Sequence, residues 1–286
     1  MMRKIKIITS LHIGYCFGVK RAMSLINDGL NNSGCKLYSI GAVIHNPQAV
    51  QNLESRGVIQ ISSIDELKSG DTMIIRAHGV APEIIEKCVK RGIKLIDTTC
   101  PFVKRIHEYV KQMPGDSRSI IIIGDAKHPE VRGIAGMARD NAIIIESIES
   151  AGRISGIEKA GVVIQTTFSR EESNAIIEVL KERIDDIRVH DTICEATTLR
   201  REATLKLAEE VDMILVVGGK DSSNTRRLYQ MCLDHDIPAR FIETISEIDD
   251  SWFEGFSKIG LATGTSTPDW IIGEVLARLS ETQESP

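Results

Sequence analysis

Residues 212–224 read DMILVVGGKDSSN. The apolar run from Met213 to Val217 has the length of a buried strand, it stops at Gly218-Gly219, and it gives way to Ser222-Ser223-Asn224, two hydroxyls and an amide placed to open a helix. The same grammar recurs on both sides. Strands are expected at 3–9, 36–40, 72–77, 93–97, 119–124, 142–146, 161–165, 187–190, 212–217, 240–243 and 258–262. Helical patterns lie between them, as in 18–31, where Val19, Ala22, Met23, Ile26 and Leu30 share one face. Pro82 and Pro268 sit where helices should begin, and Gly92 where one should end. Strand alternating with helix, with few Asn-Gly hairpins, specifies α/β architecture with parallel sheets and helical crossovers.

Parallel sheets bind ligands beyond the carboxyl ends of their strands. Immediately after the expected strands come Cys16, His45-Asn46-Pro47, His78-Gly79, Cys100-Pro101, His128-Pro129-Glu130, Thr166-Thr167, Cys194, Ser222-Ser223-Asn224 and Ser266. Nearly every chemically capable residue therefore falls on one kind of loop. Ser222-Ser223-Asn224 reads equally as an ordinary loop with a helix cap or as a phosphate cradle, with Lys220 as its cation or simply solvated.

With 42% hydrophobic and 26% charged residues the chain has the make-up of a soluble globular protein of two or three compact units. A net charge of -5 excludes broad electrostatic binding to nucleic acid. The apolar runs are too short to cross a bilayer and Met1–Ser10 lacks a signal-peptide core, so a cytoplasmic location without membrane partners is expected. In that reducing compartment the six cysteines are packing residues, nucleophiles or metal ligands. Cys35, Cys88 and Cys232 lie in or beside helical patterns and read as filler. Cys16, Cys100 and Cys194 each precede a helix, where the dipole favours a thiolate. Three thiolates without a CxxC pair are poor evidence for a zinc finger and suit a cubane cluster with one iron left open. Cys16-Phe-Gly-Val-Lys-Arg21 and Cys100-Pro-Phe-Val-Lys-Arg105 also look alike, and a looser version runs from Cys194 to Arg200-Arg201. Spaced 84 (100 − 16) and 94 (194 − 100) residues apart, they mark either three repeated α/β units or a coincidence of short basic strings.

The stretches Gly14-Tyr15-Cys16-Phe17-Gly18-Val19, Val43-Ile44-His45-Asn46, Ala77-His78-Gly79-Val80, Asp97-Thr98-Thr99-Cys100-Pro101, Lys127-His128-Pro129-Glu130-Val131, Gln165-Thr166-Thr167, Ile193-Cys194-Glu195-Ala196-Thr197 and Ser222-Ser223-Asn224, taken in order, resemble the LytB/IspH family. The likeness spans about residues 3–280. It implies three small parallel-sheet α/β units in a pseudo-threefold trefoil around a central iron–sulfur cluster. The units would be 14–97, 98–191, and 1–13 with 192–286. It also implies reductive dehydroxylation of 4-hydroxy-3-methylbut-2-enyl diphosphate to isopentenyl and dimethylallyl diphosphate, the last step of the non-mevalonate isoprenoid pathway. By resemblance Cys16, Cys100 and Cys194 hold a 4Fe-4S cluster, while His45, His78, His128, Ser222, Asn224 and Ser266 bind the diphosphate, with Ser223 adjoining them and Thr166 also lining the substrate. Glu130 supplies the proton, and Thr166 relays it or orients the hydroxyl. Arg201 stands where many members carry Gln, and Thr265 and Thr267 flank Ser266 where smaller residues are common.

Because hydroxide is a poor leaving group, Glu130 must be protonated at the right step, which burial favours. Electrons delivered singly imply an external donor such as ferredoxin or flavodoxin, and Gly218-Gly219 lacks the spacing of a nicotinamide site. Rival readings are a redox-free hydro-lyase, which would turn over without a donor, a sensor of iron or diphosphates, and a zinc or thiol hydrolase.

Overall fold

The computed structural model of the chain describes residues 5–33, 36–139 and 141–281. Cys35 and the polar tail beyond Glu281 lie outside them. In chain order the strands are β1 (Lys6–Thr9), β2 (Leu37–Ile40), β3 (Val58–Ile61), β4 (Thr72–Ile75), β5 (Lys94–Asp97), β6 (Ser119–Ile123), β7 (Ala142–Ile145), β8 (Lys159–Ile164), β9 (Asp186–His190), β10 (Met213–Val217), β11 (Ala239–Ile242) and β12 (Lys258–Thr263). The helices are α1 (Phe17–Ser33), α2 (Pro47–Ser55), α3 (Pro82–Lys90), α4 (Pro101–Gln112), α5 (Pro129–Met137), α6 (Ile148–Ala151), α7 (Arg170–Lys181), α8 (Glu195–Ala208), α9 (Ser223–Asp234) and α10 (Asp269–Glu281), with short 3-10 turns between.

Every strand pairing is parallel. The chain divides into two compact units. One comprises the residues up to Val19, Ile44–Asn52 and the chain from Glu195 onward, and the other comprises Lys20–Val43 and Leu53–Cys194. The first holds the sheet β11-β10-β12-β1; the second holds β3-β2-β4-β5 and β7-β6-β8-β9. Counted along the chain, each sheet runs second, first, third, fourth strand, once β1 is taken as the fourth strand of the sheet it completes. The likeness between the basic strings is thus matched by a likeness of topology.

Both faces of these sheets are covered, so alternate residues of one strand enter different cores. Ile121 and Ile123 pack with Phe168, Ile176 and Leu180, whereas Ile120 and Ile122 pack with Ile106, Val110 and Ile134. Likewise Met213, Leu215 and Val217 face Ile271, Ile272 and Val275, while Ile214 and Val216 face Leu228 and Met231. Fully burying one such side chain stabilises by about 1.5–3 kcal/mol. Cys88 joins the core around Met73, and Cys232 the one around Leu228, as filler should. Burial pushes the Cys232 thiol up to about 11 and raises that of Cys88.

The second strand of each sheet, β3, β7 or β11, is an edge strand that ends in the same device. Ser63-Ile-Asp-Glu66, Ser147-Ile-Glu-Ser150 and Thr244-Ile-Ser-Glu247 each form a capping box, in which the third residue after the cap accepts from the cap's own N–H (3.0, 3.0 and 3.1 Å). Among the described residues, β3 is the one strand absent from the eleven expected. It spans four residues and begins directly after Gly57, whose φ of +107° turns the chain out of α2, so its sequence reads as the tail of a helix.

Candidate functional site

The repeated topology gives each sheet three loops that run from the end of a strand into a helix. Loops after the fourth strands β1, β5 and β9 carry Cys16, Cys100 and Cys194. Loops after the first strands β2, β6 and β10 carry His45, His128 with Glu130, and Ser222-Ser223-Asn224. Loops after the third strands β4, β8 and β12 carry His78, Thr166 and Ser266. All candidate residues lie beyond the carboxyl end of their own strand or in the first turn that follows it.

The cysteines are anchored alike. Each backbone N–H donates to a carbonyl in the loop after the adjacent third strand: Cys16 to Thr265 (3.0 Å), Cys100 to Ala77 (3.0 Å) and Cys194 to Thr166 (2.9 Å). Each is half-buried, outside any disulfide, and immediately precedes a helix. Such soft donors, aligned with helix dipoles, fit iron–sulfur ligation, in contrast to the fully buried Cys88 and Cys232.

In the second unit Glu130 is 3% exposed, in the first turn of α5. The Thr166 N–H donates to its Oε1 (2.7 Å) and the Thr166 hydroxyl to its Oε2 (2.7 Å). Those bonds favour the carboxylate, yet burial outweighs them and holds the Glu130 pKa above the usual carboxylic range. Because Thr166 also accepts the Cys194 N–H, one residue ties the buried acid to a thiol-bearing loop. His128 caps α5, its Nδ1 accepting from the Glu130 N–H at 3.2 Å, which leaves the neutral ring's proton on Nε2 as a donor. The His78 and His128 rings meet edge to face, 5.5 Å between centroids. Gln165 joins the loops of Glu130 and Thr166, accepting from the Asp125 N–H at 2.9 Å.

In the first unit three loops meet at the His45 carbonyl. The Ser266 hydroxyl donates to it at 3.0 Å, and a Cβ built on Gly219 would lie 2.3 Å from it, so only glycine fits there. Ser222 caps α9 by accepting from the Thr225 N–H (3.3 Å), with Ser223 and Asn224 buried in the first turn. Asn46 caps α2 through Oδ1, which accepts from the Ala49 N–H at 2.8 Å. The amide nitrogens of Asn46 and Asn224 are buried and have no protein partner among the described residues. Leaving such donors unpaired costs about 1–3 kcal/mol each, and an anionic ligand removes that cost.

Of the two readings of Lys220, the structure favours the solvated one: its exposed side chain pairs with Glu247. Of the two threonines flanking Ser266, Thr267 donates its hydroxyl to the Val217 carbonyl at 2.9 Å, and Thr265 lends Cys16 a backbone carbonyl. The sequence motifs contain Asn46, Gln165 and Tyr15 but assign them no role. The Tyr15 hydroxyl is buried with no hydrogen-bond partner among the described residues, and burial beside Asp269 raises its pKa. Gln165 is tied to the loop of Glu130 by a contact 40 residues away in sequence, whereas Asn46 before Pro47 carries the local signature of a helix cap.

The chain matches the family described as LytB protein over residues 7–280. It is 42% identical over 275 residues to the 4-hydroxy-3-methylbut-2-enyl diphosphate reductase of Citrifermentans bemidjiense, covering 96% of this chain and 97% of that one. It is also 42% identical over 280 residues to the protein of the same name from Aquifex aeolicus, covering 97% and 96%. A solved structure of (E)-4-hydroxy-3-methyl-but-2-enyl diphosphate reductase, the terminal enzyme of the non-mevalonate pathway, superposes with a TM-score of 0.74 at 41% identity, covering 97% of this chain and 99% of its own. The Plasmodium falciparum E-1-hydroxy-2-methyl-but-2-enyl-4-diphosphate reductase superposes with a TM-score of 0.91 at 29% identity, covering 96% and 88%.

Proposed function

Since the chain belongs to the LytB protein family, we infer that it catalyses the reductive dehydroxylation of 4-hydroxy-3-methylbut-2-enyl diphosphate to isopentenyl and dimethylallyl diphosphate, the terminal step of the non-mevalonate pathway. We assign Cys16, Cys100 and Cys194 as ligands of one 4Fe-4S cluster, each contributed by one of three α/β units, 14–97, 98–191, and 1–13 with 192–286. What supports that assignment is the shared anchoring of the three thiols and the equivalence of their loops. When bound, the cluster supplies electrons one at a time and an open iron to polarise the carbon–oxygen bond.

The chain's own residues supply binding and the proton. His45, His78, His128, Ser222, Asn224 and Ser266 are assigned to the diphosphate with Ser223 adjoining them, Asn224 acting through its orphaned amide and the Asn46 amide serving as a further donor. Focused hydrogen-bond donors explain how a chain of net charge -5 holds a polyanion. Glu130 is assigned as general acid, protonating the departing hydroxyl. The observation that carries this role is the buried carboxyl, raised in pKa and gripped through both oxygens by Thr166. The Thr166 hydroxyl can pass the proton on or orient the substrate hydroxyl.

A ferredoxin or flavodoxin is the expected donor, and the cytoplasm the expected location; among the described residues no helix is long and apolar enough to cross a membrane. No nucleic-acid partner is expected. The test is anaerobic purification with iron and sulfide analysis, then assay with the hydroxylated diphosphate and a strong one-electron reductant. Four irons per chain and both C5 diphosphates are expected. Turnover without a reductant would replace this reading with a hydro-lyase, and loaded protein that binds without turning over would replace it with a sensor.

A further inference from the structure

The basic residues that close each cysteine-bearing string are not used by the chemistry above, and one of them is the most deeply buried cation described. Arg200, in α8, is 4% exposed. Its Nη1 donates to the carbonyls of His12 (3.0 Å), Thr263 (3.0 Å) and Gly264 (3.3 Å) and to the Thr263 hydroxyl (3.0 Å), and its Nη2 donates to the Gly14 carbonyl. These acceptors belong to two segments of the same unit, the loop running from β1 to Cys16 and the end of β12 with the residue that follows it. No carboxylate is among them. Thr263 completes the clamp, its hydroxyl accepting the Gly14 N–H at 2.9 Å.

A buried guanidinium ringed by neutral carbonyls is expensive to desolvate, and burial accordingly lowers its pKa to about 10. The one group that opposes this shift is the sulfur of Cys16. The other strings repeat the idea more loosely. Arg21, five residues after Cys16, donates to the Thr99 carbonyl beside Cys100 (3.3 Å). Arg105, five residues after Cys100, donates to the Tyr109 hydroxyl (2.7 Å), and Tyr109 stacks on His190, 4.2 Å between centroids, at the strand end before Cys194. Of these three arginines, only Arg200 is fully buried.

We propose that Arg200 is a positioning and charge-compensating residue for Cys16: it locks the backbone that presents this thiolate and supplies the buried positive charge that stabilises the more negative, reduced state of the metal centre. The proposal rests on the assignment of Cys16 as a cluster ligand. Potentials of such centres respond to net charge and to hydrogen bonds around the sulfurs.

The test compares wild type, Arg200→Gln and Arg200→Lys as anaerobically purified protein, reading iron and sulfide content, the midpoint potential by redox titration, and the rate of iron loss to a chelator. Arg200→Gln keeps amide donors for the clamp but no charge. It is expected to shift the reduced-to-oxidised ratio at fixed poise at least tenfold toward oxidised, a midpoint about 59 mV more negative for one electron. Arg200→Lys keeps the charge but not the fork, and is expected to hold the wild-type midpoint while losing iron about 10-fold faster. An unshifted midpoint in Arg200→Gln overturns the proposal. So does Arg200→Lys, should it match wild type in iron loss or show a shifted midpoint, and this second variant decides the matter if Arg200→Gln does not fold. Wild type without iron or sulfide would instead overturn the ligand assignment itself.

Discussion

Replacing Glu130 with Gln separates the proton donor from everything else the site does. The substitution preserves shape. The Gln oxygen can take the place of Oε1 and accept the Thr166 N–H, and the Thr166 hydroxyl, which donates to Oε2 in the native chain, can rotate to accept from the new amide. The fold should therefore change by less than about 1 kcal/mol. Loss of a general acid typically costs about 10²–10⁴-fold in rate, or about 2.7–5.4 kcal/mol of barrier at 1.36 kcal/mol per tenfold. The assay is kcat with an excess of one-electron reductant, beside iron content, substrate affinity and melting temperature, which should all match wild type. A pH signature accompanies the change. Burial raises the Glu130 pKa above its ordinary 4.5, so the folded state holds this proton more tightly than the unfolded state. Its contribution to stability is fully present below the unfolded pKa and is lost as pH rises through the folded pKa, so it tilts stability downward across that window. Glu130→Gln should remove that slope. A variant that keeps kcat within about threefold of wild type would refute the assignment, since even weak general acid catalysis exceeds that factor.

Thr166→Val removes one of the two bonds that lower the Glu130 pKa, so the carboxyl should titrate higher still and the fall of kcat with rising pH should move to higher pH, with Thr166→Ser restoring the native profile. Gly219→Ala drives a methyl to 2.3 Å from the His45 carbonyl, so the melting temperature should drop in line with about 1–3 kcal/mol of overpacking and KM for the diphosphate should rise. Lys220→Ala should leave KM unchanged, because the residue spends its charge on Glu247 in an exposed, solvent-screened pair; an increase of about tenfold would place Lys220 at the phosphate site.

Most of the fold was legible because parallel strands buried on both faces leave continuous β-branched runs, as in Ile120–Ile123 and Met213–Val217. The rim was legible for a related reason: a loop between strand and helix has a fixed polarity, so Cys16, His45 or Ser222 can be placed on it before any contact is known. The threefold repeat was only half legible. Its clearest signature is the hydroxyl-isoleucine capping box at Ser63, Ser147 and Thr244, which hides in turns too short to register as periodic structure. Strand β3 escaped because four residues after a glycine carry too little pattern. Contacts distant in sequence stayed invisible. Glu130 meets Thr166 across 36 residues, and Arg200 meets the carbonyl of His12 across 188, where the acceptor is backbone and any residue type could stand. Lys220 stayed open for the same reason, since nothing local announces its pairing with Glu247, 27 residues on.

Iron and acid-labile sulfide measured per chain, anaerobically, across single Cys→Ala variants bear most directly on the three-thiol centre. Cys16→Ala, Cys100→Ala and Cys194→Ala should each lose the bound cluster, while Cys88→Ala and Cys232→Ala, which only open small cavities in apolar cores, should retain four irons. Full retention in any of the first three, or loss confined to the latter two, would contradict the account.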